Sequence, residues 1–261
     1  MQHQLNAVDI IYLDDHIVAV NKPAGLMVHR GRGVVRGTRF ALQMVRNAIG
    51  RRLYPVHRLD RPTSGVLLFG LHPEAAQRFA KMFRSQALEK CYIAVVRGYT
   101  DQFGRIEHPL ARDPKLKVPV TQRLPAVTLF RRLACVELPY PVRPYATSRY
   151  TLLEVRPLTG RMHQIRRHLR STAHPVVGDR TYGDPRHNEA IAKRFNCPRM
   201  LLSSVSVAFQ HPFSGVPTRI VGTLDRAFSN LVHDLGFQEY LPADYLGGCR
   251  QLCCSAFRPA P

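Results

Sequence analysis

Within Val56-His57-Arg58-Leu59-Asp60-Arg61-Pro62-Thr63-Ser64-Gly65 a single carboxylate stands between two arginines, on a turn marked by proline and glycine. The apolar run Val66-Leu67-Leu68-Phe69 follows. Both flanks of the turn are β-prone. Pro62 biases Arg61 towards an extended backbone, so no helix runs through and Asp60 is presented at a strand end, aimed away from the core. A carboxylate held in this way can serve as a nucleophile or stabilise a developing cation. The same three residues also fit a solvated ion pair worth about 0–1 kcal/mol, so the chemical reading needs other groups that converge on Asp60.

A second concentration of chemistry lies in Arg161-Met162-His163-Gln164-Ile165-Arg166-Arg167-His168-Leu169-Arg170, after the turn Pro157-Leu158-Thr159-Gly160. The spacing predicts a short helix over these ten residues, with Ile165 and Leu169 anchored inward and Arg166 and Arg170 sharing another face. So many arginines exceed what helix solubility requires, and each offers a forked donor set suited to phosphate. In Lys90–Gly98, alternation puts Tyr92, Ala94 and Val96 on one face of a strand covered on both sides. By periodicity alone Tyr92 is a core aromatic whose hydroxyl finds a partner.

The elements that must position these groups are short and mixed. Asp9 to Val20 reads as a hairpin, with Asn21-Lys22-Pro23-Ala24-Gly25 turning the chain after it. Thr38 caps a helix to about Gly50, and Pro73 opens another to about Leu88. His29 to Arg39 and Thr100 to Pro125 read as basic or polar loops without periodicity. Strands are expected over Ala126–Leu138, Thr147–Val155 and Met200–Phe209, and helices over Pro185–Phe195 and Asp225–Leu235. The expected architecture is α+β, a central mixed and mostly antiparallel sheet with flanking helices and a basic cleft. One catalytic domain of two closely joined lobes is expected over 1–240, with a poorly ordered Gly/Pro/Cys tail over 241–261.

The 261 residues carry 38 Lys+Arg against 18 Asp+Glu, a formal charge of +20, with 45% hydrophobic content. That content supports a substantial core, and that charge selects a polyanionic partner, nucleic acid before all others. No apolar stretch approaches a membrane span and no signal pattern opens the chain, so a cytoplasmic protein without membrane association is expected. The six cysteines include no Cys-x-x-Cys pair and read as reduced thiols, with no metal site. Scarce acidic residues, none paired near Asp60, argue against a metal-dependent nuclease.

Four stretches in order carry a family resemblance: Asn21-Lys22-Pro23-Ala24-Gly25, Arg58-Leu59-Asp60 with Thr63-Ser64-Gly65, Lys90-Cys91-Tyr92-Ile93-Ala94-Val95-Val96-Arg97-Gly98, and Thr159-Gly160-Arg161 through Leu169. Together they resemble the RluA-type pseudouridine synthases, which isomerise uridine in RNA, and the match runs from about Ile10 to Phe237. Within that family, the Asp60 stretch and Arg166-Arg167-His168-Leu169 most resemble members that modify position 65 in the tRNA acceptor stem. The resemblance implies a cofactor-free monomer with Asp60 as the catalytic carboxylate, Arg166 as its charge partner and Tyr92 stacking on the target base. Arg58 would reach into the gap left by a flipped nucleotide, and Leu202 would wall the pocket, although Ser203 departs from the histidine common after that leucine. Arg61, Arg161, Arg167 and Arg170 would hold RNA phosphates. It also implies that the RNA-binding S4 module of some relatives is missing. A ribosomal RNA synthase of the same family, or a non-catalytic RNA binder, remains an alternative to the tRNA enzyme.

Overall fold

The computed structural model describes residues 8–29, 37–111, 123–142 and 144–247. In chain order the elements are β1 (Asp9–Leu13), β2 (Ile17–Lys22), α1 (Ala41–Ile49), β3 (Tyr54–Pro55), β4 (Ser64–Gly70), α2 (Pro73–Ser85), β5 (Leu88–Arg97) and β6 (Phe103–Glu107). There follow β7 (Leu110–Ala111), β8 (Arg123–Leu124), β9 (Val127–Leu138), β10 (Ser148–Pro157), α3 (Gln164–Ser171), α4 (Pro185–Arg194), β11 (Leu202–Gln210), β12 (Pro217–Val221), α5 (Arg226–Asp234) and α6 (Ala243–Leu246). The mixture of antiparallel ladders and helices is the α+β class expected from the sequence.

Two compact units divide the chain, one of Met1–Lys90, Ser204–Leu224 and Pro242–Pro261, the other of Cys91–Ser203 and Asp225–Leu241. The first is built on the order β1-β2-β4-β11, with β12 on β11 and β3 on β4. Asp14 turns the β1–β2 hairpin because its Oδ1 accepts the N–H groups of His16 and Ile17, both at 2.7 Å, the local side-chain closure that suits Asp to turns. The β2–β4 register sets Lys22 opposite Gly65 and Asn21 opposite Val66. Ile17, Ala19, Val66, Leu68, Phe79 and Val207 pack in the core of this unit, with the apolar stripe of α2 supplying Phe79. Burial of each of these side chains larger than alanine contributes about 1.5–3 kcal/mol.

The second unit is built on β5-β10-β9-β6. Ile93 to Val96 are all buried, as expected for a strand covered on both faces. Tyr92 stands opposite Val155 across the β5–β10 ladder and packs against the core of Ala94, Val96, Leu153, Ile165, Leu169 and Leu202.

Four expectations change. Thr38 does not cap α1: the helix begins at Ala41 after Phe40, whose side chain makes no capping bond, because the N–H groups of Ala41 and Leu42 are taken by the carbonyls of Met27 and Val28 at 2.9 and 3.0 Å. Within the supposed loop Thr100–Pro125, Phe103–Glu107 forms an edge strand on β9; Ile106 is its one buried residue, so the apolar signal is faint. Residues 112–122 of that loop, like 30–36 of the basic loop, lie outside the described residues. The arginine-rich helix starts three residues late, at Gln164, because His163 adopts a left-handed φ of 51°. The tail beginning at 241 is folded as far as Gly247: Leu241 and Tyr245 are buried, the Tyr245 carbonyl accepts Leu224 N–H at 2.7 Å, and Arg219 Nη2 donates to its hydroxyl at 3.0 Å. The rest of the tail, with Cys249, Cys253 and Cys254, is outside the described residues.

Candidate active site

Asp60 opens a turn closed by Thr63 N–H donating to its carbonyl at 3.1 Å, and it is half-buried just ahead of β4. The turn is stapled to the segment after β2 from both sides. Arg61 Nε donates to Gly25 O at 3.0 Å, and Gly25 N–H donates to Arg61 O at 2.8 Å. Lys22, only 1% exposed, lays its ammonium among three carbonyls, those of Pro23 and Leu26 at 2.9 Å and that of Arg61 at 3.3 Å. Lys22 is thus a buried cation that fixes the backbone next to Asp60. Gly65, at φ +105°, lies so close to Ser204 that an added Cβ would sit 2.0 Å from its carbonyl oxygen. No other residue type fits that approach.

His57 stacks on Phe83, ring centroids 4.2 Å apart, and its Nε2 accepts Leu68 N–H at 3.0 Å. That acceptor role requires the neutral ring, and burial, with the Lys90 ammonium second, pushes its pKa down to about 3. Burial pushes Lys90 itself down to about 8. Arg58, between His57 and Asp60, is exposed and makes no hydrogen bond or ion pair among the described residues.

The second unit carries the other predicted residues. Helix α3 is locked to β9 by polar groups that its sequence pattern does not distinguish from solvated ones. Gln164 Nε2 donates to Val127 O at 2.9 Å and Thr128 Oγ1 at 3.0 Å, while buried His168 bridges Thr128 Oγ1 and His108 O, each at 2.9 Å. Between them Arg166 is 4% exposed, so its charge needs a partner. Asp179, 1% exposed, provides one: Nε donates to Oδ2 at 2.6 Å and Nη2 to Oδ1 at 2.9 Å. Burial alone would raise the Asp179 carboxyl, yet the guanidinium and the N–H groups of Thr181 and Tyr182 outweigh it and hold the pKa below 3.8. The Tyr182 ring covers the guanidinium at 5.1 Å. Neither Asp179 nor Tyr182 belongs to a motif that the sequence sets apart; a buried arginine is the signal that demands such partners.

The remaining arginines differ in commitment. Arg161 Nε donates to Pro125 O at 3.0 Å and Arg167 Nη1 to Ala111 O at 3.0 Å, so both brace backbone. Arg170 is exposed, with one contact to Tyr182 O at 3.4 Å. Leu202 is 3% exposed in the core of its unit, and its carbonyl accepts Arg199 Nη2 at 3.3 Å. Arg199 also pairs with Asp225, the residue that caps α5 through Phe228 N–H. Asp60, Arg58 and Arg61 thus belong to one unit, and Tyr92, Arg166, Leu202, Arg161, Arg167 and Arg170 to the other. Among the described residues no group of His, Cys, Asp or Glu is placed to hold a metal ion.

A presented carboxylate on a braced turn, with an ionised arginine and an aromatic on a basic scaffold, has the components of nucleic-acid base chemistry. Residues 16–171 match the family described as RNA pseudouridylate synthase, and the chain belongs to that family. It is therefore a pseudouridine synthase, an isomerase acting on RNA. It is 41% identical over 238 residues, 89% of this chain and 98% of the relative, to the tRNA pseudouridine synthase C of Vibrio cholerae. To the protein of the same name from Yersinia pestis it is 39% identical over 239 residues, 90% and 93% of the two chains. In fold it resembles human RNA pseudouridylate synthase domain containing 1 (TM-score 0.66, 24% identity, covering 86% of each chain). The corresponding human domain containing 4 aligns with TM-score 0.67 at 22% identity, covering 87% of this chain and 93% of that one.

Proposed function

We propose that this enzyme isomerises a uridine in tRNA, at position 65 of the acceptor stem, with Asp60 as the catalytic carboxylate. The observation that carries the catalytic part is the Asp60 turn itself, braced by buried Lys22 and by the two-way Arg61–Gly25 tie. The tRNA assignment rests on the names of relatives about 40% identical over nearly their full length and on the local likeness of the Asp60 and Arg166 stretches. The reaction breaks the N1–C1′ bond, turns the base and joins C5 to C1′; the proton of C5 passes to solvent and N1 gains one, with no net redox change and no cofactor. Asp60 attacks or ion-pairs with the reacting nucleoside. Arg166 keeps Asp60 ionised as water leaves, since an adjacent cation lowers a carboxylate pKa while burial raises it.

The base must leave its stack, at a cost of a few kcal/mol. Tyr92 stacks on it, Leu202 walls the pocket, and exposed Arg58 fills the vacated place in the helix. Arg61, Arg161, Arg167 and Arg170 steady phosphates. The protein works in the cytoplasm; Cys91, Cys135 and Cys197 are free thiols, and no helix among the described residues is long and apolar enough to cross a membrane.

Tritium release from 5-labelled uridine in unmodified tRNA and ribosomal transcripts tests the reading. Release from tRNA, abolished in Asp60→Asn while RNA binding persists, is the expected result. Release from ribosomal RNA alone overturns the tRNA assignment, and retained turnover in Asp60→Asn overturns the role of Asp60.

A further inference from the structure

In the second unit, a surface cavity of about 440 Å³ is lined by Arg97, Arg170, Gly183, Asp184, Pro185 and Arg186. Its volume falls in the range of ligand pockets, roughly 300–1,000 Å³, but those are walled mainly by apolar side chains. This one has three guanidinium groups and one carboxylate. The carboxylate is already committed: Asp184 Oδ2 accepts Arg97 Nη1 at 2.7 Å, and Oδ1 caps α4 by accepting the N–H groups of Arg186 and His187 at 3.0 and 3.4 Å. Arg170 and Arg186 are exposed. The wall therefore offers cationic forks, the geometry that matches phosphate oxygens two at a time.

The cavity is also tied to Arg166 within the second unit. Arg166 and Arg170 are one helical turn apart on α3, and both hold the loop that leads into the cavity residues Gly183 to Arg186. Arg166 grips it through Asp179 and the Tyr182 ring, Arg170 through the Tyr182 carbonyl.

We propose that Arg97, Arg170 and Arg186 form a docking pocket for backbone phosphate of the RNA substrate. The proposal rests on the RNA-isomerase reading and adds Arg97 and Arg186 to the residues given a part in holding phosphate. A phosphate seated there places the RNA strand along the helix that carries Arg166, so the pocket sets the approach of the substrate as well as its affinity.

The test is equilibrium binding of unmodified tRNA and ribosomal transcripts, at salt concentrations from about 50 to 200 mM, to the full chain and to Arg170→Ala/Arg186→Ala. Both residues are exposed, and Arg170 gives up only its 3.4 Å contact to Tyr182 O, so the melting temperature of the double variant should stay within about 4 °C of the parent. Arg97 is left intact because it holds the cap of α4. The double variant should bind about tenfold more weakly, with a log–log salt slope shallower by about one to two, one unit for each lost phosphate contact. Arg170→Lys/Arg186→Lys should recover the slope, since charge sets it. Arg105→Ala, which removes an exposed arginine paired with Glu107 at 2.8 Å, should leave the slope unchanged.

A parental slope and affinity in the double alanine variant would overturn the proposal, as would an equal change in Arg105→Ala. Should the parent bind RNA but release tritium from neither transcript, the isomerase reading falls while the slopes still decide the pocket.

Discussion

Replacing Asp179 by Asn changes one atom and almost no volume, so its cost isolates the charge that Arg166 requires. In the native protein Asp179 Oδ1 accepts Arg166 Nη2 at 2.9 Å, Thr181 N–H at 2.8 Å and Tyr182 N–H at 3.1 Å, while Oδ2 accepts Arg166 Nε at 2.6 Å. An asparagine that keeps its oxygen towards the two backbone N–H groups must turn its NH₂ towards Arg166 Nε, donor against donor. Flipping it instead abandons Thr181 and Tyr182. In either orientation a guanidinium only 4% exposed loses its counter-charge. Breaking a buried pair from one side costs about 3–5 kcal/mol. At about 2–4 °C per kcal/mol for a chain of this size, the melting temperature should fall by roughly 6–20 °C. Because the Asp179 pKa is held below 3.8, its contribution is fully present above that pH and is lost as the pH falls through the lowered value. The gap between wild type and variant should therefore be constant at neutral pH and close under strong acid. Melting curves at several pH values, with tritium release in parallel, measure both. A fall of less than about 2 °C at pH 7 would refute the claim that this pair holds Arg166.

Further outcomes follow from the same geometry. Lys22→Met removes three charge-assisted bonds to carbonyls next to Asp60, and it should lower stability by about 1–3 kcal/mol and slow single-turnover tritium release at saturating RNA; a variant with native turnover would show that the staple does not position Asp60. Gly65→Ala forces a Cβ to 2.0 Å from a backbone oxygen at φ +105°, and should cost more than about 4 kcal/mol, seen as loss of soluble, protease-resistant protein. His57 binds its proton at an ordinary value of 6.5 when unfolded but only near pH 3 when folded, so stability should rise with pH between those limits, by up to about 1.4 kcal/mol per unit. Urea midpoints from pH 4 to 7 should show that slope flattened in His57→Gln, and an unchanged slope would place the proton uptake elsewhere.

The amino-acid order alone discloses what depends on neighbours in the chain. The Pro- and Gly-bounded turn that presents Asp60, the Pro73 start of α2, the doubly covered strand of Tyr92 and the arginine-rich helix α3 are all legible from composition, periodicity and turn chemistry acting over a few residues. What tertiary structure decided are the partners. Arg166 is paired by Asp179, 13 residues away, and Lys22 reaches Arg61 across 39. The start of α1 is set by carbonyls of Met27 and Val28, and the 241–247 segment is held by Leu224 and Arg219. A polar side chain reads the same whether it will be solvated or buried against a partner, because the cost of burying it is offset only by a group that the fold brings into place.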